Sequence, residues 1–353
     1  MRCSRRACVA PPAFRSAAAQ WASGCCACCG RRLISRCNRR LIRRPAGFCP
    51  MPTLDRLTIY PVKSLDGVCV PEAFLLPSGA LENDRRWRLV DLEGRVIHAK
   101  RTPLLHPIRA EFALDQRLVT LSIDPVAVQA ATLPNGDRLR VLAPESFHLV
   151  PGSGGPCEWL SQALGLEVLL EERADGGFPD DRDAAGPTLI STATLAEVAR
   201  WFGFDLAESR RRFRVNLEVG GCECFWEDAL ASPAQACLRV RSAASSDQSG
   251  DQSSAHLPVD PYADLPPAPP REFAIGQSRF VAANACRRCV VPSRDSRTGA
   301  ETSHFRDAFE ARRGRGLRPD TDTRAWSHLY RLAINTRAVL CGGILLQGQA
   351  IRD

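Results

Sequence analysis

The chain has 353 residues, 44% apolar and 24% charged, enough for two or more soluble domains with cores of their own. Its formal charge of +8 is unevenly spread: residues 1–50 hold eleven Arg, no Lys and no acid, and the remainder carries 36 basic against 39 acidic side chains, a net of −3. That balance excludes a polyanion-binding body, so no nucleic-acid partner is expected, and no apolar run reaches the roughly 20 residues of a transmembrane span.

Residues 1–53 read as a disordered or transit-like extension. Arg and Ser without acid is transit-peptide composition, but Cys25-Cys26-Ala27-Cys28-Cys29 does not suit a clean example. Translation from Met51 is the alternative. The first case implies a mitochondrial or other organellar protein, the second a cytoplasmic one. Eight of the 16 Cys lie at or before Cys49, and the scatter of the rest suits a reducing compartment better than a disulfide framework.

Strand signals begin at Leu57-Thr58-Ile59-Tyr60, which Pro61 stops, leaving Lys63-Ser64 at the strand's mouth. Trp87 to Val90, a Glu93-Gly94 turn and Val96 to Ala99 predict a hairpin. Leu118 to Ile123 predicts another strand, and Asn135-Gly136 a turn. Short strands at this spacing predict a barrel or small antiparallel domain over residues 54–172. Trp159, Leu160, Ala163 and Leu164 predict a short amphipathic helix within it. A polar, acidic loop follows from Phe178 to Gly186. Leu195, Val198, Ala199 and Phe202 recur at helical spacing, with Thr194 and Glu197 expected as a capping box. The start of that helix is either an anion site or an ordinary cap. Arg212 to Val219 alternates charged and apolar residues and predicts a strand turned by Gly220-Gly221. Ser242 to Pro270 is Ser/Asp/Gln-rich, then Pro-rich, and is expected to be a disordered surface insertion. Phe280-Val281-Ala282 predicts a strand running into a Cys pair. Phe305, Ala308 and Phe309 share a helix face, and Tyr330 to Ala333 and Gly343 to Ile351 predict the closing strands of a second domain, 173–353. The expected class is mainly β with helices, an α+β fold.

The pair is Cys286-Arg287-Arg288-Cys289, followed by a polar turn that ends at Gly299. Thiolates are soft ligands and redox groups, and neighbouring guanidinium groups favour the thiolate and attract anions. The residues alone leave several readings open. Zinc would need Cys222 and Cys224 as its second pair, at the wrong spacing for a knuckle. A redox pair would normally open a helix, where Pro292 and a turn follow here. An iron–sulfur cluster would want more Cys nearby. A buried thiol pair without chemistry is the plain alternative. Lys63, Arg85 and Arg214 sit at strand ends or alternate strand positions, where solvated surface charge is the plain alternative. The six His are isolated, and no GxSxG, P-loop or GxGxxG supports a hydrolase or nucleotide reading.

Taken together, the motifs resemble the MOSC family (molybdenum cofactor sulfurase C-terminal domain) with its N-terminal β-barrel domain in front. Within that family the chain is similar to the mitochondrial amidoxime reducing component and its bacterial counterparts. The resemblance is carried, in order, by Leu57 to Ser64, then Asn83-Asp84-Arg85-Arg86-Trp87, then Phe213-Arg214-Val215-Asn216 with Cys222 and Glu227-Asp228. It ends with Cys286-Arg287-Arg288-Cys289 and Asp295 with Thr298-Gly299. It implies an N-terminal β-barrel-like domain plus a MOSC β-barrel domain, and a molybdenum cofactor, Mo-molybdopterin. It implies Cys289 as the catalytic thiolate on the metal. Lys63, Ser64, Arg85, Arg214 and Asn216 would hold the pterin and its phosphate, and the loop at Asp183, Ala185 and Gly186 would add backbone contacts. The activity implied is reduction of a small N-hydroxylated substrate, with Asp228 either relaying protons or structural. An external flavoprotein, ferredoxin or cytochrome b5-like partner would supply electrons, because no C-x₄-C-x₂-C ferredoxin spacing is present. Two departures stand out: Pro292-Ser293-Arg294 replaces a Thr-Thr run, and Asn335 stands where the mitochondrial type has Tyr. The alternative is a non-redox cofactor-binding or sulfur-carrier module using a persulfide on Cys289. The sequence lacks the Lys-containing pyridoxal phosphate domain that a sulfurase needs, which weighs mildly against that alternative.

Overall fold

The computed structural model describes residues 51–129, 140–231, 271–324 and 326–352. The expected N-terminal extension up to residue 50, the Asn135-Gly136 turn and the 242–270 insertion lie outside them. The described residues belong to one unit, Cys49–Asp353.

In chain order the first half holds β1 (Thr53–Ile59), β2 (Val68–Cys69), β3 (Glu72–Phe74), β4 (Trp87–Val90), β5 (Val96–Ile97), β6 (Ile108–Ala113), β7 (Leu118–Ile123), α1 (Pro125–Gln129), β8 (Glu145–His148), α2 (Pro156–Leu164) and β9 (Leu169–Glu172). The second half holds β10 (Leu189–Ser191), α3 (Thr192–Phe202), α4 (Leu206–Phe213), β11 (Leu217–Gly220), α5 (Glu227–Ala231), β12 (Glu272–Ile275), β13 (Ser278–Arg287), α6 (Phe305–Arg315), β14 (Arg331–Leu340), β15 (Ile344–Leu346) and β16 (Ile351–Arg352). The fold is α+β, as expected.

The largest sheet runs β16-β12-β13-β14-β10-β11-β1-β2. Leu54 N donates to Gln349 O (2.9 Å), Gly348 N to Leu54 O (2.8 Å) and Ile351 N to Pro52 O (2.8 Å), joining β1 to the β16 end. The sheet thus curls toward a barrel, with β1 bridging to the β16 end and β2 left outside the seam. Its interior packs Leu54, Leu57, Leu217, Val219, Phe273, Phe280 and Ile334. Outside, α3, α4 and α6 bury Leu195, Val198, Phe213, Phe305 and Phe309 over it. The strands between these layers have both faces covered, so β11 is buried at all four positions.

A second body is built from the β5-β4-β9 and β6-β7-β8 sheets. α2 packs Trp159, Leu160, Ala163 and Leu164 into its core with Trp87, Leu89, Val119 and Leu121. Each such fully buried large side chain contributes about 1.5–3 kcal/mol. The expected hairpin forms, with Leu89 opposite Ile97. Chain order and packing diverge at the start: β1 pairs β11 and β3 pairs β15, so residues before the expected boundary at 172 complete the barrel formed by those after it.

Two local expectations are corrected. Arg212 to Val219 is not one strand. Asp205 accepts from Glu208 N (2.6 Å) and caps α4, which ends with Arg214 in the left-handed region, and the strand starts only at Leu217. The charges at 208 and 212 form an i,i+4 pair on a helix (2.6 Å) rather than alternating along a strand. Nor is Thr194–Glu197 a capping box: Ser191 caps α3, accepting from Thr194 N at 3.0 Å. Ser191 N and Thr194 Oγ1 both donate to Glu227 Oε2 (3.2 Å each), so the helix start holds the protein's own carboxylate rather than a ligand.

Candidate functional site

The site begins where Pro61 breaks β1. Arg85 N donates to Tyr60 O (2.8 Å) and Lys63 N to Trp87 O (2.8 Å), so these two short pairings set Lys63 and Arg85 side by side. Ser64, Arg85 and Arg214 all have positive φ, at 76°, 49° and 51°. For non-glycine residues this costs about 1–2 kcal/mol each, and such strain concentrates at functional sites. Ser64 Oγ accepts from Ala99 N (3.2 Å), fixing the turn after Lys63 to the end of the hairpin. Gly177 lies against the Asp84–Arg85 backbone with φ +62°, where a Cβ would meet Asp84 O at 2.5 Å.

Behind the turn is a buried polar frame. Asn216 Nδ2 donates to Thr58 O (3.0 Å) and Asp84 Oδ1 (2.9 Å), and its Oδ1 accepts from Thr188 Oγ1 (3.0 Å) and Arg85 Nη1 (3.4 Å). Asp84 also pairs with Arg85 directly. Tyr60 lies between Arg85 and Arg214, with their guanidinium carbons 5.8 and 4.4 Å from the ring centroid. Burial pushes the Tyr60 hydroxyl up to about 12, against the pull of both arginines. Burial also opposes the charge on Arg85, but Asp84 and Asp180 outweigh it and raise its pKa. Arg214 has no carboxylate within ion-pair distance among the described residues; it donates to Leu65 O, and burial lowers its pKa.

The acidic loop enters here through Asp180, whose carboxylate meets Lys63 Nζ at 2.9 Å and Arg85 Nε at 3.6 Å. The loop is anchored on both sides of it. Phe178 N donates to Arg85 O (2.9 Å), and its ring faces Arg88 and Arg173. Asp181 Oδ2 accepts from Asn284 (3.2 Å) and Asn335 (3.1 Å), which sit opposite each other on β13 and β14. Farther on, Gly186 N donates to Thr336 O (3.0 Å), and a Cβ at Gly186 would lie 2.6 Å from that oxygen.

β13 delivers the Cys pair. Cys286 is buried, donates to Asn335 Oδ1 (2.8 Å) and is pushed up to about 11 by burial, against nearby arginines. Cys289, past the strand end, is only partly buried. The following turn is tied by Asp295, whose Oδ1 accepts from Thr298 N and Oγ1 at 2.9 Å each. Arg294, from the departing Pro292-Ser293-Arg294 run, reaches across to Ala99 O (2.7 Å) and Lys100 O (3.3 Å) and ties this segment to the second body.

Two adjoining cavities open on these groups, one of about 840 Å³ and one of about 1010 Å³. Lys63 and Ser64 line the first, Ala185, Gly186, Cys286 and Cys289 the second, and Arg85, Arg214 and Asp180 both. The fold therefore brings Lys63, Ser64, Arg85, Arg214, Ala185, Gly186 and Cys289 to one cleft. Asn216 stands behind it and acts through Asp84 and Arg85. Asp183 is exposed and lines neither cavity; its N–H turns back to Asp181 Oδ1 (3.0 Å). Sequence reasoning did not single out Asp180, Lys100, Arg182 or Arg331. Nor did it single out His106, which lines the first cavity and which burial and four surrounding arginines hold down to about 4. Cys222 packs at the barrel core and Cys224 at the helical layer, and no group of three or more potential metal ligands converges among the described residues. The four-Cys zinc arrangement is thus not formed. Asp228 forms a buried ion pair with Arg313, away from the cleft.

A family profile, the MOSC N-terminal beta barrel domain, matches residues 51–166, from β1 through α2. This stretch is thus similar to a MOSC N-terminal beta barrel domain. The chain is 29% identical over 184 residues to molybdenum cofactor sulfurase of Drosophila grimshawi, covering 48% of this chain and 24% of that protein. It is 25% identical over 190 residues to molybdenum cofactor sulfurase of Drosophila melanogaster, again 24% of that protein. It is 26% identical over 227 residues to human mitochondrial amidoxime-reducing component 1, covering 56% of this chain and 63% of that one. The chain thus spans about a quarter of the length of the sulfurases it matches.

The cleft fits the cofactor that the MOSC resemblance implies. It offers a soft thiol at Cys289 and a set of cations that exceeds the carboxylates lining it. Buried NH groups of Arg288 and Arg331 border it without an acceptor among the described residues. Lys63, Arg85 and Arg214 suit a phosphate, and Cys289 a metal.

Proposed function

We propose that the chain is a molybdenum-cofactor oxidoreductase that reduces N-hydroxylated compounds. The observation that carries this reading is that Cys289 shares a cavity with Arg85 and Arg214, while Lys63 lines the adjoining one with the same two arginines. Arg guanidinium groups make forked, charge-assisted bonds to phosphate, and Lys adds a point charge, so the cluster is suited to anchor a phosphorylated cofactor. Cys289 would hold the metal; Cys286, buried and protonated, would not compete. A bound molybdenum centre supplies two-electron chemistry at the substrate's oxygen-bearing nitrogen. The net change is R–NH–OH plus two electrons and two protons to R–NH₂ plus water. The protein's part is to hold the cofactor, order the cleft through Asn216 and Asp84, and shape the opening beside Asn335. Electrons would come from a separate flavoprotein, ferredoxin or cytochrome b5-like donor.

The test is turnover of a hydroxylamine or amidoxime by the molybdenum-loaded chain with a chemical reductant. Turnover that disappears in Cys289→Ser, with the fold intact, is expected; no turnover from a loaded chain would contradict the reductase reading. The likeness to molybdenum cofactor sulfurases favours a second reading, in which Cys289 carries a persulfide. Radiolabelled sulfur retained on Cys289 without any metal would favour that reading.

A further inference from the structure

The acidic loop does something in the cleft that the cofactor reading does not use. We propose that Asp180 is the resident counter-anion of the Lys63–Arg85 pair and makes that pair selective for dianions, phosphate monoesters above all, over monoanions. The geometry is that of a ligand already bound. One carboxylate oxygen meets Lys63 at 2.9 Å and the other meets Arg85 at 3.6 Å, so a single carboxylate bridges two cations supplied by another part of the chain. Among the described residues Asp180 has no further side-chain hydrogen-bond partner, and its side chain is 56% exposed and lines both cavities. It can leave, while its neighbours cannot: Phe178 is bonded to Arg85 and Asp181 to Asn284 and Asn335. Burial works against its charge, but Arg85 and Lys63 outweigh it and keep the carboxyl below the usual range, so the occupant is charged at neutral pH.

A tethered carboxylate competes at an effective concentration of roughly millimolar or more. An incoming monoanion gains no more from the two cations than Asp180 already does and is excluded. A phosphate monoester brings a second charge and a third oxygen and can displace it. The inference draws on the cofactor reading only in naming phosphate as the ligand class.

The experiment is calorimetric titration of the full chain at neutral pH and constant ionic strength, with inorganic phosphate and, separately, with acetate. Wild type is expected to bind phosphate and not acetate. Asp180→Asn, and Asp180→Ser as a second replacement, should bind phosphate about tenfold more tightly, or ~1.4 kcal/mol, and gain acetate binding. Lys63→Gln should lose both anions. Equal or weaker phosphate binding by both Asp180 variants, or continued exclusion of acetate, would overturn the proposal by making Asp180 an organiser of the cations instead of their competitor. If neither wild type nor the Asp180 variants bind phosphate, Lys63 and Arg85 are not an anion site at all, and this proposal falls together with the phosphate part of the cofactor reading.

Discussion

At the scale of single residues, the cleft depends on charges that are buried before any ligand arrives. Arg85 is the sharpest case, because it balances Asp84 and Asp180 while bonded to Asn216. Replacing one partner of such a group leaves the others unpaired, so Arg85→Gln is expected to cost about 3 kcal/mol of stability as well as anion binding. Chemical denaturation beside phosphate titration checks both losses. The two cysteines should separate cleanly: Cys289→Ser should abolish metal retention and leave the melting temperature within a few degrees, whereas Cys286→Ser should keep the metal. The reverse result would assign the ligand to Cys286.

At the scale of elements, α4 carries an acid-sensitive joint. Glu208, mostly buried, bonds Arg212 (2.6 Å) and accepts from Ser296 N (3.0 Å). Burial would raise its pKa, but the bonds from Ser296 and Arg212 prevail and hold it at about 2, below the ordinary 4.5. A depressed carboxylate contributes stability that is complete above the unfolded value and lost as pH falls through the folded one. The α4 joint should therefore weaken between about pH 4.5 and pH 2, and Glu208→Gln should flatten that part of the stability curve, as read by acid titration of unfolding. Gly177→Ala tests the loop beside Arg85: positive φ and a Cβ 2.5 Å from Asp84 O predict a loss of about 1–3 kcal/mol and weaker anion binding, measured on the same sample. This element also marks where the sequence was hard to read. Lys63, Ser64, Arg85 and Arg214 were legible because motif order points to them, and the hairpin from Trp87 because its alternation and turn are local. α4 was not, since eight residues with three Arg and one Glu carry little apolar periodicity, and its charges meet only once the helix forms. Asp180 was not, since its significance depends on two cations more than 90 positions away.

At the scale of the whole molecule, the site lies along the seam between the barrel and the second body. Arg294 to Ala99 and Lys100, Arg109 to Ser296 O (2.9 Å) and Arg297 to Asp124 (3.1 Å) cross that seam. Arg294→Met should cost about 2–4 kcal/mol and loosen the cleft, and Lys should not restore it, because its single ammonium cannot reproduce a guanidinium fork. Hydrogen exchange at Ala99 to Arg101 reports the opening. The proposed activity requires that the cleft hold a molybdenum cofactor. Elemental analysis with pterin fluorescence, on protein purified from a molybdenum-replete host, tests this most directly. About one molybdenum and one pterin per chain, with the molybdenum absent from Cys289→Ser, is the predicted result. Folded protein that carries zinc without pterin, or neither metal nor pterin, would contradict it.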